Sequence, residues 1–182
     1  MPVFEVEDGT GLSGATSYLS VAEADDILSL NPVSYAAWTG IGTSTDRENA
    51  LIWASRYIDQ YVDWSGYKTV ETSGLRWPRD CVYDMDGILL ANDAVPEQVK
   101  RAVAQLSVFL STSRSAQTGG QSAVLPEGIK RVQSDVVEVE FFEGGSADSR
   151  AGSDLLPVNM AFLIRGLGKI ITGRQHTARA IR

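Results

Sequence analysis

The sequence predicts a mainly α-helical fold of the α+β kind: a small helical bundle with a short β-hairpin or strand element and an extended C-terminal tail. Three observations predict it. Two stretches, 46–63 and 96–113, carry apolar residues at three- and four-residue steps, the period of a helix with one buried face. Val137, Val139 and Phe141 alternate with Glu138 and Glu140, the period of a half-buried strand. Near the end, Gly166, Gly168 and Gly173 are spread among basic residues, and glycine disfavours continued helix. The 182 residues divide accordingly into an N-terminal arm (1–19), a helical domain with a β element (20–164) and a basic tail (165–182).

Taken in order, residues 1–19 are rich in Gly, Ser and Thr and read as an extended arm or short edge strand. Ser20-Val21-Ala22-Glu23 has the spacing of a capping box and opens a short helix that should stop before Pro32. Thr45-Asp46-Arg47-Glu48 offers a second box. The helix it would open, 46–63, places Ala50, Leu51, Ala54, Tyr57, Ile58 and Tyr61 on one face, widened by Trp53 and Trp64, and Gly66 should end it.

Residues 67–95 lack helical period; Asp86-Gly87 signals a turn, with Ile88-Leu89-Leu90 as a short strand after it. Pro96 suits the first turn of a third helix whose stripe is Val99, Ala102, Val103, Leu106 and Leu110, ending near Ser113. A Ser-, Gly- and Gln-rich loop (114–128), one strand (132–142), a second loop (144–153) and a fourth helix (157–167) with Met160, Ala161, Leu163 and Ile164 apolar complete the domain. Gly166-Leu167-Gly168 follows a helix rather than a strand, so it reads as a helix end or joint and not as a nucleotide-binding turn.

Charge is uneven. The formal net charge is −7, yet no acid follows Asp154, while Arg165, Lys169, Arg174, Arg179 and Arg182 do. Residues 1–154 therefore hold 11 basic against 23 acidic residues, a net of −12. Such a body repels phosphates, and the basic tail suits an acidic protein neighbour. No apolar run is long enough to span a membrane, no secretion signal is apparent, and one cysteine precludes an internal disulfide.

Reactive chemistry finds little support, and the expectation is a chain that is not an enzyme and takes no metal or other cofactor. His176, the single histidine, lies in the tail, away from any supporting frame for a Ser-His-Asp set or a small hydrolase. Cys81 follows Asp80, whose charge disfavours a thiolate, so it reads as a buried structural cysteine. Asp84-Met85-Asp86-Gly87 begins like a calcium loop, but the twelfth position is Val95, which cannot ligate. Asp25-Asp26 and Glu138/Glu140 read as solvated faces. Arg76-Trp77-Pro78-Arg79 allows two readings. Trp77 could stack on a base while the arginines neutralise phosphate. Alternatively, Trp77 anchors a loop in the core and Arg76 and Arg79 pair with acids between subunits.

Several segments together carry a resemblance. Tyr18-Leu19-Ser20-Val21-Ala22-Glu23-Ala24, Ala50-Leu51-Ile52-Trp53-Ala54-Ser55-Arg56-Tyr57-Ile58-Asp59, Leu75-Arg76-Trp77-Pro78-Arg79 and Val95-Pro96-Glu97-Gln98-Val99-Lys100-Arg101-Ala102 follow in this order and spacing over 18–110. The later Val136-Val137-Glu138-Val139-Glu140-Phe141 joins them. This pattern resembles the head–tail connector, or adaptor, proteins of tailed bacteriophages, several of which carry the label of DnaT-like single-stranded-DNA-binding proteins. The resemblance implies a helical adaptor in a homo-oligomeric ring, often a dodecamer, in the virion neck after assembly in the host cytoplasm. Its partners would be sister copies, the portal protein and a stopper or tail terminator, with the double-stranded genome passing through unbound. The tail cations Arg165, Lys169, Arg174, Arg179 and Arg182 would grip the portal. The DnaT label implies instead a replication accessory that binds single-stranded DNA.

Overall fold

The computed structural model describes residues 3–112, 131–134, 137–140, 156 and 158–171. It is helix-dominated and mixed with β structure, as the sequence predicts. Among the described residues, five helices, four of them packed around a central α4, are joined by three two-stranded antiparallel pairs.

Helix α1 (Val21–Ser29) starts at the expected box: Ser20 Oγ accepts from Glu23 N at 3.2 Å and Glu23 Oε2 accepts from Ser20 N at 2.7 Å. Pro32 stops α1 but also opens a helix the sequence reading lacks, α2 (Pro32–Thr39). Asn31 Oδ1 accepts from Val33 N and Ser34 N, and Pro32 fills a first-turn position that needs no donor. Only Trp38 of α2 is fully buried, so eight residues give no readable stripe.

Helix α3 (Ser44–Tyr61) is capped by Thr43, not Thr45. Thr43 is extended (φ −79°, ψ 168°), its hydroxyl accepts from Asp46 N, and Asp46 Oδ2 accepts from Thr43 N at 2.9 Å. The shorter Asp thus closes the box two residues earlier than Glu48 would. Ala50, Leu51, Ala54 and Ile58 are buried as expected, with Ile52 and Ser55 added. The helix gives way to strand β1 (Val62–Trp64) before Gly66 is reached.

Strand β2 (Tyr67–Lys68) pairs with β3 (Arg79–Asp80). Residues 82–90 fold back as a hairpin: Tyr83 bridges Leu89, Leu90 N donates to Val82 O at 2.9 Å, and Asp84 Oδ1 accepts from Asp86 N and Ile88 N. The turn at Asp86-Gly87 is where the sequence puts it, but the strand after it amounts to this single bridge.

Helix α4 (Glu97–Thr112) buries the whole predicted stripe, and Ala104 and Ser107 besides, because neighbours cover more than one of its faces. It packs most extensively on α3, and also on α1 and α2. Lys100 Nζ meets Glu23 Oε1 at 2.5 Å, tying α4 to the start of α1. The small residues Ala50, Ala54, Ala102 and Ala104 are buried, which suits close helix approach.

The expected single strand at 132–142 is two paired strands, β4 (Arg131–Ser134) and β5 (Val137–Glu140). Helix α5 (Val158–Leu163) packs on α4 and ends four residues sooner than expected; Met160, Ile164 and Leu167 are buried. Strand β6 (Gly168–Ile170) then pairs antiparallel with β1, setting Val62 opposite Ile170 and Asp63 opposite Lys169. The first residues of the predicted tail therefore belong to the body. At the other end Val6 bridges Ser17, and Tyr18 and Leu19 are fully buried, so the segment expected as an arm is extended but closes onto the core.

The β1–β2 link depends on Gly66, whose φ is +65° and where an added Cβ would lie 2.1 Å from Asp80 O. A left-handed, backbone-crowded position of this kind excludes any side chain. Gly66→Ala should lower the unfolding free energy by about 2–4 kcal/mol in urea titration; an unchanged midpoint would contradict this geometry.

Candidate functional site

The segment that drew both sequence readings, Arg76-Trp77-Pro78-Arg79, runs from a loop into β3. Trp77 is fully buried and packs edge-to-face on Trp64, with ring centroids 5.7 Å apart and planes at 82°. Pro78 is buried beside it. Of the two readings for Trp77, the structure has the loop anchor.

Arg79 is 8% exposed and makes no ion pair with an acid among the described residues. Its guanidinium donates to four backbone carbonyls: Ser65 O at 2.7 Å, Gly66 O at 2.8 Å, Arg76 O at 3.3 Å and Trp64 O at 3.4 Å. A planar five-donor fork can serve several acceptors at once, as an ammonium cannot. Burial, then the nearby Arg76, pulls its pKa below the ordinary arginine value. The expected pairing with acids of a neighbouring subunit is not available to a group spent in this way.

A second polar cluster underlies the loop, on residues the sequence reading did not single out. Tyr18 Oη lies 2.7 Å from both carboxylate oxygens of Asp59 and donates to that carboxylate. The same phenol oxygen accepts from Arg76 N at 3.0 Å and Trp77 N at 3.2 Å. Asp59 also accepts from Trp64 Nε1 and from Arg76 N, each at 3.0 Å. Burial, then the Asp59 charge, pushes the Tyr18 phenol well above its usual 10.0, so it stays a donor. Burial also raises Asp59, against the opposing pull of its hydrogen bonds from Tyr18, Arg76 N and Trp64. The only hint in the sequence is that Tyr18 and Asp59 both lie inside segments that carry the resemblance.

Beside this cluster lies an open groove of about 360 Å³, lined by Arg56, Lys68 and Arg76 with Asp59, Gln60, Gly74 and Leu75. Arg56 and Arg76 are exposed, while Lys68 is half-buried and donates to Ser73 O at 2.8 Å.

A protein-family model described as "Putative DnaT-like ssDNA binding protein" matches residues 3–182. The chain belongs to that family. No curated protein and no solved structure matches it.

In this DnaT-like family member the remaining sequence candidates fall as follows. Arg165 and Lys169 are exposed, Lys169 on β6 opposite exposed Asp63, a favourable cross-strand charge pair. Arg174, Arg179, Arg182 and His176 lie outside the described residues, as do the 114–128 and 144–153 loops. Cys81, expected buried, is exposed at φ 56°, because β3 ends in a tight reversal there; its Sγ lies 3.5 Å from Tyr67 Oη. The thiol and the Asp80 carboxylate push the Tyr67 phenol up to about 12. Asp25, expected in solvent, is half-buried and accepts from Trp38 Nε1 at 2.5 Å. Among the described residues no group of three or more His, Cys, Asp or Glu could hold a metal ion, and no helix is long and apolar enough to cross a membrane.

Replacing Arg79 by Lys should cost about 2 kcal/mol, since one ammonium cannot satisfy four dispersed carbonyls; chemical denaturation reads this directly. Asp59 makes a pH-dependent contribution of definite sign. A carboxyl raised above its ordinary 3.8 binds its proton more tightly folded than unfolded. Its contribution is largest at low pH and declines as pH rises through the interval between the two values. In Asp59→Asn the amide does not titrate, and it points a donor at other donors. The stability gap between wild type and Asp59→Asn should therefore narrow from about pH 3 to about pH 6. A gap that widens over that range would show the carboxylate to be favoured by its site.

Proposed function

We propose that this chain is a structural head-to-tail adaptor of a tailed bacteriophage, closing as a ring, of about twelve copies by the resemblance, beneath the portal and enclosing the DNA channel. It works through shape and surface fit, without a reactive centre. The observation that carries this reading is the inward disposition of Trp77 and Arg79. The side chains best suited to grip a base and a phosphate hold the chain's own core and carbonyls instead. An acidic body of net −12 would line a channel that repels DNA and lets it slide.

A second reading is single-stranded-DNA binding, and the family description supports it more directly than it supports the connector. With Trp77 and Arg79 inside, it would fall to Arg76, the neighbouring Arg56 and Lys68, and the tail arginines. Non-specific binding through so few cations is strongly salt-dependent.

Two measurements separate the readings. Electron microscopy of purified virions should place this chain in a ring at the neck, and oligonucleotide should give no mobility shift even at low salt. A low-salt shift lost in Arg76→Ala, with no chain in mature particles, would establish the second reading. For the tail, truncation must spare β6: removing 172–182 should leave the thermal midpoint within about 3 °C of wild type and abolish retention on immobilised portal. Undiminished retention would remove the portal role from Arg174, Arg179 and Arg182.

A further inference from the structure

The hairpin at 82–90 is the most apolar exposed element among the described residues. Tyr83, Met85, Ile88 and Leu89 are each more than half exposed within seven residues. Exposed apolar clusters of this kind mark protein contacts. The hairpin is also held in shape, since Asp84 Oδ1 fixes the turn through two backbone donors and Gly87 N donates to Asp84 O. At its tip Asp86 is exposed, and its carboxylate makes no hydrogen bond or ion pair among the described residues. The hairpin therefore presents a shaped apolar wedge with one free negative charge.

The groove beside the Tyr18–Asp59 cluster has the opposite character. Arg56, Lys68 and Arg76 line it together with Asp59; none of the three cations makes a carboxylate ion pair among the described residues, although Arg76 feels the field of Asp59. Three cations gathered on a chain of net charge −7 form an uncommon local excess. The aliphatic stems of Arg56 and Lys68, with Leu75 and Gly74 below, offer apolar contact beside the charge.

We propose that the 82–90 hairpin of one copy docks in the Arg56–Lys68–Arg76 groove of the next, with Asp86 against the cations and Met85 and Ile88 along their stems. The two surfaces are different faces of one chain, so the contact is head-to-tail, the kind that closes a ring when its rotation permits. Charge complementarity selects a second copy as occupant: the groove's own carboxylate, Asp59, is outnumbered by three cations and already takes hydrogen bonds from Tyr18, Trp64 and Arg76 N, and the wedge supplies a further anion. The assignment rests on the ring reading and names the contact within it.

Charge reversal tests it. Arg56 and Asp86 are the positions of choice, because both are exposed and neither has a hydrogen bond or ion pair to the Asp59 cluster among the described residues. Self-association of the full chain is measured by sedimentation, alone and on immobilised portal. Asp86→Arg alone and Arg56→Glu alone should each weaken assembly by about tenfold or more, and the two changes in one chain should restore most of it. Raising salt from about 0.1 to about 1 M should weaken wild type and leave an Asp86→Ala variant less affected. Circular dichroism confirms that each variant is folded. Rings that form undiminished in both single variants would overturn this contact and leave the ring reading standing. A wild-type chain that never self-associates, with or without portal, would overturn both. Loss of oligonucleotide binding in Arg56→Glu, without change in self-association, would make the groove a phosphate site and overturn the proposal.

Discussion

Everything in the body converges on one half-buried carboxylate. Asp59 receives hydrogen from the Tyr18 phenol, the Trp64 indole and the Arg76 amide, while the same phenol also takes the Arg76 and Trp77 amides. Those groups come from four places: the N-terminal segment, α3, β1 and the loop before β3. A carboxylate withdrawn from water is tolerated only when its lone pairs are filled. Satisfying Asp59 therefore fixes the relative position of all four segments. Trp77 is delivered into the core because its backbone is held on one side by Tyr18 and its ring meets Trp64 on the other. Arg79, two residues on, repeats the arrangement with inverted sign, a cation filled by carbonyls rather than an anion filled by donors.

Two opposite charges held by dipoles, rather than by each other, make a frame that is specific and of modest net stability. Each group's desolvation is offset by hydrogen bonds whose donors and acceptors lie in fixed places, and any shift of one segment unfills several at once. Such a frame resists sliding of its parts more than it adds to total stability. In the proposed ring, a subunit that presents fixed faces to its neighbours would benefit from that property. The solvent-facing consequence is that the hairpin at 82–90 and the Arg56–Lys68–Arg76 groove both adjoin rigid segments: the hairpin follows β3, and the groove shares Arg76 and Asp59 with the network itself.

Legibility in the sequence followed the range of the interaction concerned. The stripe of α4 could be read residue by residue, because burial of one helix face leaves a local period. The box at Ser20 and the turn at Asp86-Gly87 are equally local. Failures began where a choice depended on distant partners. Thr43 and Thr45 both offer a cap, and only packing decides between them. Pro32 stops one helix in the sequence pattern, but proline after Asn31 is also a start. Gly168 looks locally like a helix break, yet an added Cβ there would lie 2.8 Å from Asp63 O across the β1–β6 pair. At the candidate site, Arg76-Trp77-Pro78-Arg79 stood out by composition, but which of its side chains turn inward did not. Tyr18 and Asp59, 41 residues apart, leave no periodic trace of their meeting.

The inward turn also bounds what this surface can do with nucleic acid. A protein that holds a single strand without sequence preference combines several stacking aromatics with a continuous basic track. Among the described residues, Arg56, Lys68 and Arg76 form a short track, and the tryptophan nearest to it in sequence is in the core. Three phosphate contacts would release about two counterions from a single strand, a shallow salt slope. Against a body of net −12, the long-range field opposes approach. The same three cations facing one carboxylate and an apolar wedge are better matched in number, reach and desolvation than they are to a flexible polyanion. That mismatch favours the proposed contact between copies over strand capture as the use of the groove.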